Sequence, residues 1–334
     1  FIGILFNIIS IISMFIFVKN KQDMYLYALI TVIASCGANI IKFFYLKKYC
    51  KVSLTLHIDL KKHIKPIVLM FSAYISIMIY NRTDTALLGV MASDYNVGIY
   101  SVSTKIYNLV KSCLLALSTV IQTRAVILAD SGNKSNSDKF LSKCFNMMMT
   151  FVIPCMVGMA FMNKDIILFI SGVDYLKAGM SMIILSVSLF FALFSTMQSS
   201  CILIPYGKEK TTLYGAVAGA IVNLILNMGF IPLWKENGAA LTTLIAEITV
   251  FSIYYAEAKK YFTHLNRWKT IIQCGVGSIG IIMVLYLLRN LEINIFPRII
   301  IKIGCSAIIY FLIQILVGND AITEIYDNIL VRLK

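Results

Sequence analysis

The sequence predicts an all-α, polytopic membrane helix bundle, and three observations predict it. Hydrophobic residues make up 59% of the 334-residue chain and charged residues only 14%, whereas soluble domains run at about 50% and about 25%. Mean hydropathy is +0.82. The apolar residues also fall in long blocks rather than in short alternating runs.

Crossing a hydrocarbon core of about 30 Å takes roughly 20 helical residues, and ten blocks reach that length or approach it. In order they are Phe1–Val18, Met24–Leu46, Pro66–Ala92, Val97–Gln122 and Phe140–Met162, then Ala178–Tyr206, Thr211–Leu233, Gly238–Tyr261, Thr270–Leu288 and Pro297–Val317. The second, fourth and sixth are long enough to tilt, kink or run past the membrane. Lipid offers no partner to a free N–H or C=O, so unbroken blocks of this length read as helices, not barrel strands. Phe1 opens inside an apolar block, with no basic segment before it and no small-residue cleavage site after it. A signal peptide is therefore a poor reading, and an N-terminal part is expected to lie upstream of Phe1.

Basic residues set the orientation. Alternate loops, beginning with the one around Lys47–Lys65, hold 19 of the 30 lysines and arginines, and the other loops hold seven. The rich set faces the cytoplasm, as do the C-terminus and Phe1. The net charge of +14 is thereby explained by topology and anionic headgroups, so membrane lipids are the expected partners and nucleic acid is not. Cys50 lies in a cytoplasmic loop and the other seven cysteines in spans or at their edges, with no CxxC pair. His57, His63 and His264 fall in cytoplasmic loops without paired ligand spacing. Disulfides, metal sites and cofactors are not expected. The segment around Lys47–Lys65 reads partly as an amphipathic surface element. Short loops leave little room for an extramembrane catalytic element, which favours a transporter over an enzyme.

Two glycine patterns read as helix packing. Gly275, Gly277 and Gly280 spell GxGxxG inside an apolar span, without the strand that a dinucleotide site needs. Gly215 and Gly219 form a GxxxG.

Charged and amide groups inside spans are costly unless they face a partner or a wet cavity. Around the turn at Ser93–Asn96, Asp84 and Lys105 are equidistant and could pair. Arg82 points to another face and Lys111 lies deeper. Two readings stand: a structural salt bridge with snorkelling ends, or a basic cavity lining with a titratable neighbour. Around Lys235, Asn223 and Glu247 are equidistant and could hydrogen-bond, with Asn227 one turn from Asn223. This group is either a coupling site for a proton or cation or an interhelical polar clamp. Lys302, near a span end, reads as a snorkeller.

The stretch Tyr214 to Glu247, with Gly219, Asn223, Asn227, Ile231-Pro232, Gly238-Ala239-Ala240, Thr242 and Glu247, resembles a signature of the polysaccharide flippase branch of the multidrug/oligosaccharidyl-lipid/polysaccharide exporter superfamily. Arg82 to Asn108, with Asp84, Leu88-Gly89, Val97-Gly98, Tyr100 and Lys105, is similar to that family's other landmark. Trp234-Lys235-Glu236-Asn237 departs from the usual short glycine-bearing turn. The resemblance implies two six-helix lobes, the first mostly missing. Residues 1–46 would be the last two helices of the N-terminal lobe, 47–65 a basic linker, 66–262 the C-terminal lobe, and 263–334 two extra helices with a cytoplasmic tail.

The implied function is translocation of undecaprenyl-pyrophosphate-linked oligosaccharide across the bacterial inner (cytoplasmic) membrane for surface polysaccharides such as O-antigen or capsule. Alternating access would spare the pyrophosphate a passage through hydrocarbon. Arg82, Lys105 and Lys111 would meet phosphate or acidic sugars. Asp84 or Glu247, within a polar group that includes Asn223 and Asn227, would couple transport to H+ or Na+. A polysaccharide polymerase and a chain-length regulator are further expected partners. A drug/cation antiporter of the same superfamily and a membrane glycan polymerase are the alternatives.

Overall fold

The computed structural model describes residues 2–20, 23–46, 64, 83–130, 134–261 and 267–323. Arg82, most of the third expected span, the 47–63 stretch with Cys50, His57 and His63, and His264 lie outside the described residues. The chain divides into two compact units, Phe1–Ala73 and Tyr74–Lys334.

In the first unit, α1 (Ile2–Phe17) packs on α2 (Met24–Leu46). The Phe6 ring fills the notch that Gly37 leaves on α2, where a Cβ would collide with it. Asp23 closes the connection by accepting the backbone N–H groups of Lys19 and Asn20 at 3.0 and 2.9 Å, which lowers its pKa.

In the second unit, residues 83–91 are helical and turn at Ala92–Ser93 into α3 (Asp94–Asp130). There follow α4 (Lys134–Phe161), a short α5 (Asn163–Ser171), α6 (Gly179–Gln198), α7 (Glu209–Ala258), α8 (Arg267–Leu287) and α9 (Ile295–Leu316). The described residues contain no strand. Six of these helices, with their flanking turns, are long and apolar enough to cross a membrane: α2, α4, α6, α7, α8 and α9. The chain is a multi-pass membrane protein.

α6 is the core element. Met182, Leu185, Leu189, Ala192, Leu193 and Phe194 are buried around most of its circumference, the pattern of a helix enclosed by others. It packs on α7, α4 and α3.

At 50 residues, α7 would run for about 75 Å if straight, far beyond a bilayer. It is two helices joined at Lys235, whose φ of 48° and ψ of −125° are non-helical. Gly238 sits against the Phe230 carbonyl there, too close for any Cβ. The halves then return along one another. Gly215 receives Tyr254, Gly219 receives Val250, and Thr242 hydrogen-bonds Asn227 at 2.6 Å. Small residues in the first half thus face large ones in the second, so the backbones can approach. Gly277 and Gly280 do the same for α8, against Tyr310 with Gln314 and against Ile313 of α9. Gly215, Gly219, Gly277 and Gly280 are helix-packing positions, as the sequence predicted, whereas a Cβ on Gly275 would meet nothing within 4 Å.

Pro154 lies inside α4 and has no N–H to give the Thr150 carbonyl one turn back. The Tyr310 hydroxyl of α9 donates to that carbonyl at 2.8 Å. Asn319 and Gln314 extend this buried polar contact, and Gln273 of α8 donates to the Val317 and Gly318 carbonyls at 3.0 and 3.1 Å. α8 and α9 are therefore fastened to α4 by satisfied hydrogen bonds, not by apolar contact alone.

Candidate functional site

Asp84 is the centre of a polar cluster between 83–91, α3 and α7. Its Oδ1 accepts from Asn227 Nδ2 at 2.7 Å, and its Oδ2 accepts from Thr243 Oγ1 at 2.6 Å and Tyr100 Oη at 3.2 Å. Asn227 also donates to Asn223 Oδ1 at 3.1 Å. Asn223, Asn227 and Thr242 are buried, and Tyr100 is 2% exposed. Three neutral donors converge on one carboxylate, and among the described residues no basic side chain pairs with it.

The expected Asp84–Lys105 pair does not form. The chain turns at Ala92–Ser93, earlier than the sequence reading placed it, so the residue level with Asp84 is Tyr100. Lys105 lies five residues further along α3 and on another face, where it is exposed.

The expected Asn223–Glu247 bond is also absent. The residue opposite Asn223 in the α7 hairpin is Ala246, and Glu247, one step round the helix, faces α3. There it meets Lys111 at 3.5 Å, and Lys111 also donates to the Tyr107 hydroxyl at 3.3 Å. Lys111 and Glu247 thus form a largely buried ion pair, with side-chain exposures of 25% and 12%.

A third contact extends the line towards the Lys235 break. Asn96 donates to Glu236 Oε2 at 2.6 Å and accepts from the Ser93 hydroxyl at 2.6 Å. Asn96, Tyr100, Tyr107 and Lys111 share one face of α3, matched on α7 by Glu236, Thr243 and Glu247. From Asn96 to Lys111 this polar seam spans about 22 Å of helix, most of the depth of a hydrocarbon core. Weighing only charged and amide residues within spans passed over Tyr107 and Thr243, and left Glu236 in the turn. The helical spacing of polar residues on α3 was the signal that could have found the seam.

Lys302 is not a snorkeller. It is buried, with Nζ 2.5 Å from Asp165 Oδ2 on α5, and Arg298 stands 3.8 Å from the same carboxylate. α9 enters the bundle beside α5, so the ammonium meets a carboxylate instead of reaching for water.

The seam supplies carboxylate, amide and hydroxyl oxygens, the ligand chemistry of a proton or a small hard cation. Among the described residues no cluster of histidine, cysteine and acid side chains suits a transition metal.

A family described as polysaccharide biosynthesis protein matches residues 2–180, more than half of the chain. The chain belongs to that family. The flippase-type resemblance read from the sequence is thereby borne out. This polysaccharide biosynthesis family member is 25% identical over 223 residues to the uncharacterized membrane protein MJ1068 of Methanocaldococcus jannaschii, covering 66% of the chain and 43% of that relative. It is 27% identical over 183 residues to the probable flippase AglR of Haloferax volcanii, covering 54% of the chain and 38% of that relative. It thus spans about two fifths of the length of these curated relatives. It is similar in fold to a solved structure described as lipid II flippase MurJ, inward closed conformation, with a TM-score of 0.75 and 20% identity, covering 96% of this chain and 67% of that one.

Proposed function

We propose that this chain is part of a flippase for undecaprenyl-pyrophosphate-linked oligosaccharides, working by alternating access in the bacterial inner membrane and serving surface polysaccharide synthesis. The observation that carries the reading is Asp84, a carboxylate held among helices by Tyr100, Asn227 and Thr243 with no paired cation among the described residues. A permanently structural carboxylate would more commonly carry a basic partner at such depth. A carboxylate ringed by oxygen ligands and neutral donors suits a site that binds and releases H+ or Na+.

In this reading, Lys105 and Arg82 meet the phosphates and acidic sugars, with Lys105 presented on an exposed face of α3. Lys111 is reserved by Glu247 and becomes available to an anion only when that pair opens. Competition between substrate phosphate and Glu247 for Lys111 would link cargo to the same helices that carry the coupling carboxylate. Residues 1–46 would close the N-terminal lobe, 47–65 would link, 66–262 would form the C-terminal lobe, and 263–334 would add two helices that α4 fastens. A polymerase and a chain-length regulator would take the delivered repeat units.

The test is export. In cells lacking the native gene, the full-length protein with Lys105→Ala or Asp84→Asn should leave lipid-linked oligosaccharide at the inner face and little surface polysaccharide. Full export by both variants at normal expression would overturn the reading.

A further inference from the structure

The helices α4, α6, α7 and α8 surround a cavity of about 220 Å³. Phe145, Phe190, Phe194, Phe251 and Tyr255 form much of its wall, and among the described residues Gln198 is the only amide lining it. Gln198 is 6% exposed, and its Oε1 is buried without a hydrogen-bond partner. It stands immediately before a π-helical turn, Ser199–Leu203, where the backbone bonds shift to Ile204 N–H with Ser199 O at 2.9 Å. Such single π turns in α-helices are frequent at functional sites.

Water is a poor tenant for this space. A buried water needs two to four polar partners, and an apolar cavity of about 150 Å³ stays dry yet accepts benzene. A larger cavity with aromatic walls and one unpaired amide oxygen suits a hydrocarbon chain that carries a hydrogen-bond donor near one end. Phe145, Phe190, Phe251 and Tyr255 are only half-buried, so the cavity is not sealed. It lies towards the end of the lobe where α4 and α8 begin and α6 and α7 finish. That end also carries Lys139, Lys143 and Lys259, with Lys269 held by Asp320 at 3.1 Å, a basic excess that favours a lipid with a phosphate there. Bulk phospholipid is the hydrocarbon most concentrated at this depth, so mass action selects it.

We propose that this cavity binds one acyl chain of an anionic phospholipid, with the unpaired Gln198 Oε1 accepting from a hydroxyl of its headgroup. The site is separate from the Asp84 cluster and stands whether or not the chain transports glycans.

The full-length protein is reconstituted in phosphatidylglycerol/phosphatidylcholine vesicles containing a phosphatidylglycerol with a diazirine on one acyl chain, then irradiated and mapped by mass spectrometry. Label is expected on peptides containing Met149 and Phe194, displaced by unlabelled phosphatidylglycerol. The matching phosphatidylcholine probe should label about fivefold less. Ile271→Trp, which fills the cavity edge, should remove the label, and Gln198→Leu should weaken it. Label confined to outward residues such as Ile279 and Met283 would overturn the proposal, and the unsubstituted protein alone decides that point. So would undiminished label in a folded Ile271→Trp protein, or displacement by a polyprenyl phosphate but not by phosphatidylglycerol.

Discussion

Lys111 on α3 and Glu247 on α7 face each other at 3.5 Å and leave little of either side chain exposed. The pair joins the two elements that carry the polar seam. Removing one partner leaves the other charge buried, whereas removing both with apolar residues of similar size does not. Lys111→Met alone should lower stability by about 3 kcal/mol, and Glu247→Leu added to it should recover most of that loss. Thermal unfolding in detergent checks both; a double variant no more stable than the single one contradicts the pairing.

Tyr310 and Pro154 make a second coupled pair. Tyr310→Phe should cost about 2 kcal/mol, because it strands the Thr150 carbonyl. Pro154→Ala restores an N–H one turn from that carbonyl, so the same Tyr310→Phe change should cost much less in a Pro154→Ala background. A double-mutant cycle that comes out additive would refute the link.

Lys235 holds a positive φ where the two halves of α7 meet. Glycine reaches such conformations without a Cβ penalty. Lys235→Gly should therefore raise the unfolding midpoint, a gain of about 1 kcal/mol; an unchanged or lower midpoint would show that this backbone carries no strain.

Gly219 lies against Val250 with no room for a Cβ. Gly219→Leu should destabilise the α7 hairpin by about 3 kcal/mol through overpacking. Val250→Ala should relieve part of the cost, read as recovered folded yield after solubilisation.

The coupling role proposed for Asp84 has a binding signature. Sodium binding there would raise the unfolding midpoint in NaCl over KCl, by about 2.7 kcal/mol at 100-fold excess over Kd, and Asp84→Asn would abolish the difference. A midpoint that responds to pH and not to sodium would assign the proton instead. Indifference to both removes the coupling site from Asp84.

Much of the architecture was legible in the chain itself. Met24–Leu46 was read with the boundaries the structure gives, because a bilayer demands a fixed length of apolar helix. The α7 hairpin was centred at Lys235, where the backbone does break, because polar residues interrupt the apolar run there. Gly215, Gly219, Gly277 and Gly280 were read as contacts for the same local reason: a missing side chain leaves a notch whatever fills it.

Partners were another matter. Asp84 and Glu247 were picked out as intramembrane acids, yet each was matched to the wrong residue. Depth along a hairpin follows from counting residues, but a shift of the turn by two positions or one step around a helix changes the neighbour entirely. The sequence determined that these charges lie within helices, since hydrophobic length is a property of one segment. Only the packing of α3 against α7 decided that Tyr100, Thr243 and Lys111 would answer them, since rotation and register belong to pairs of helices.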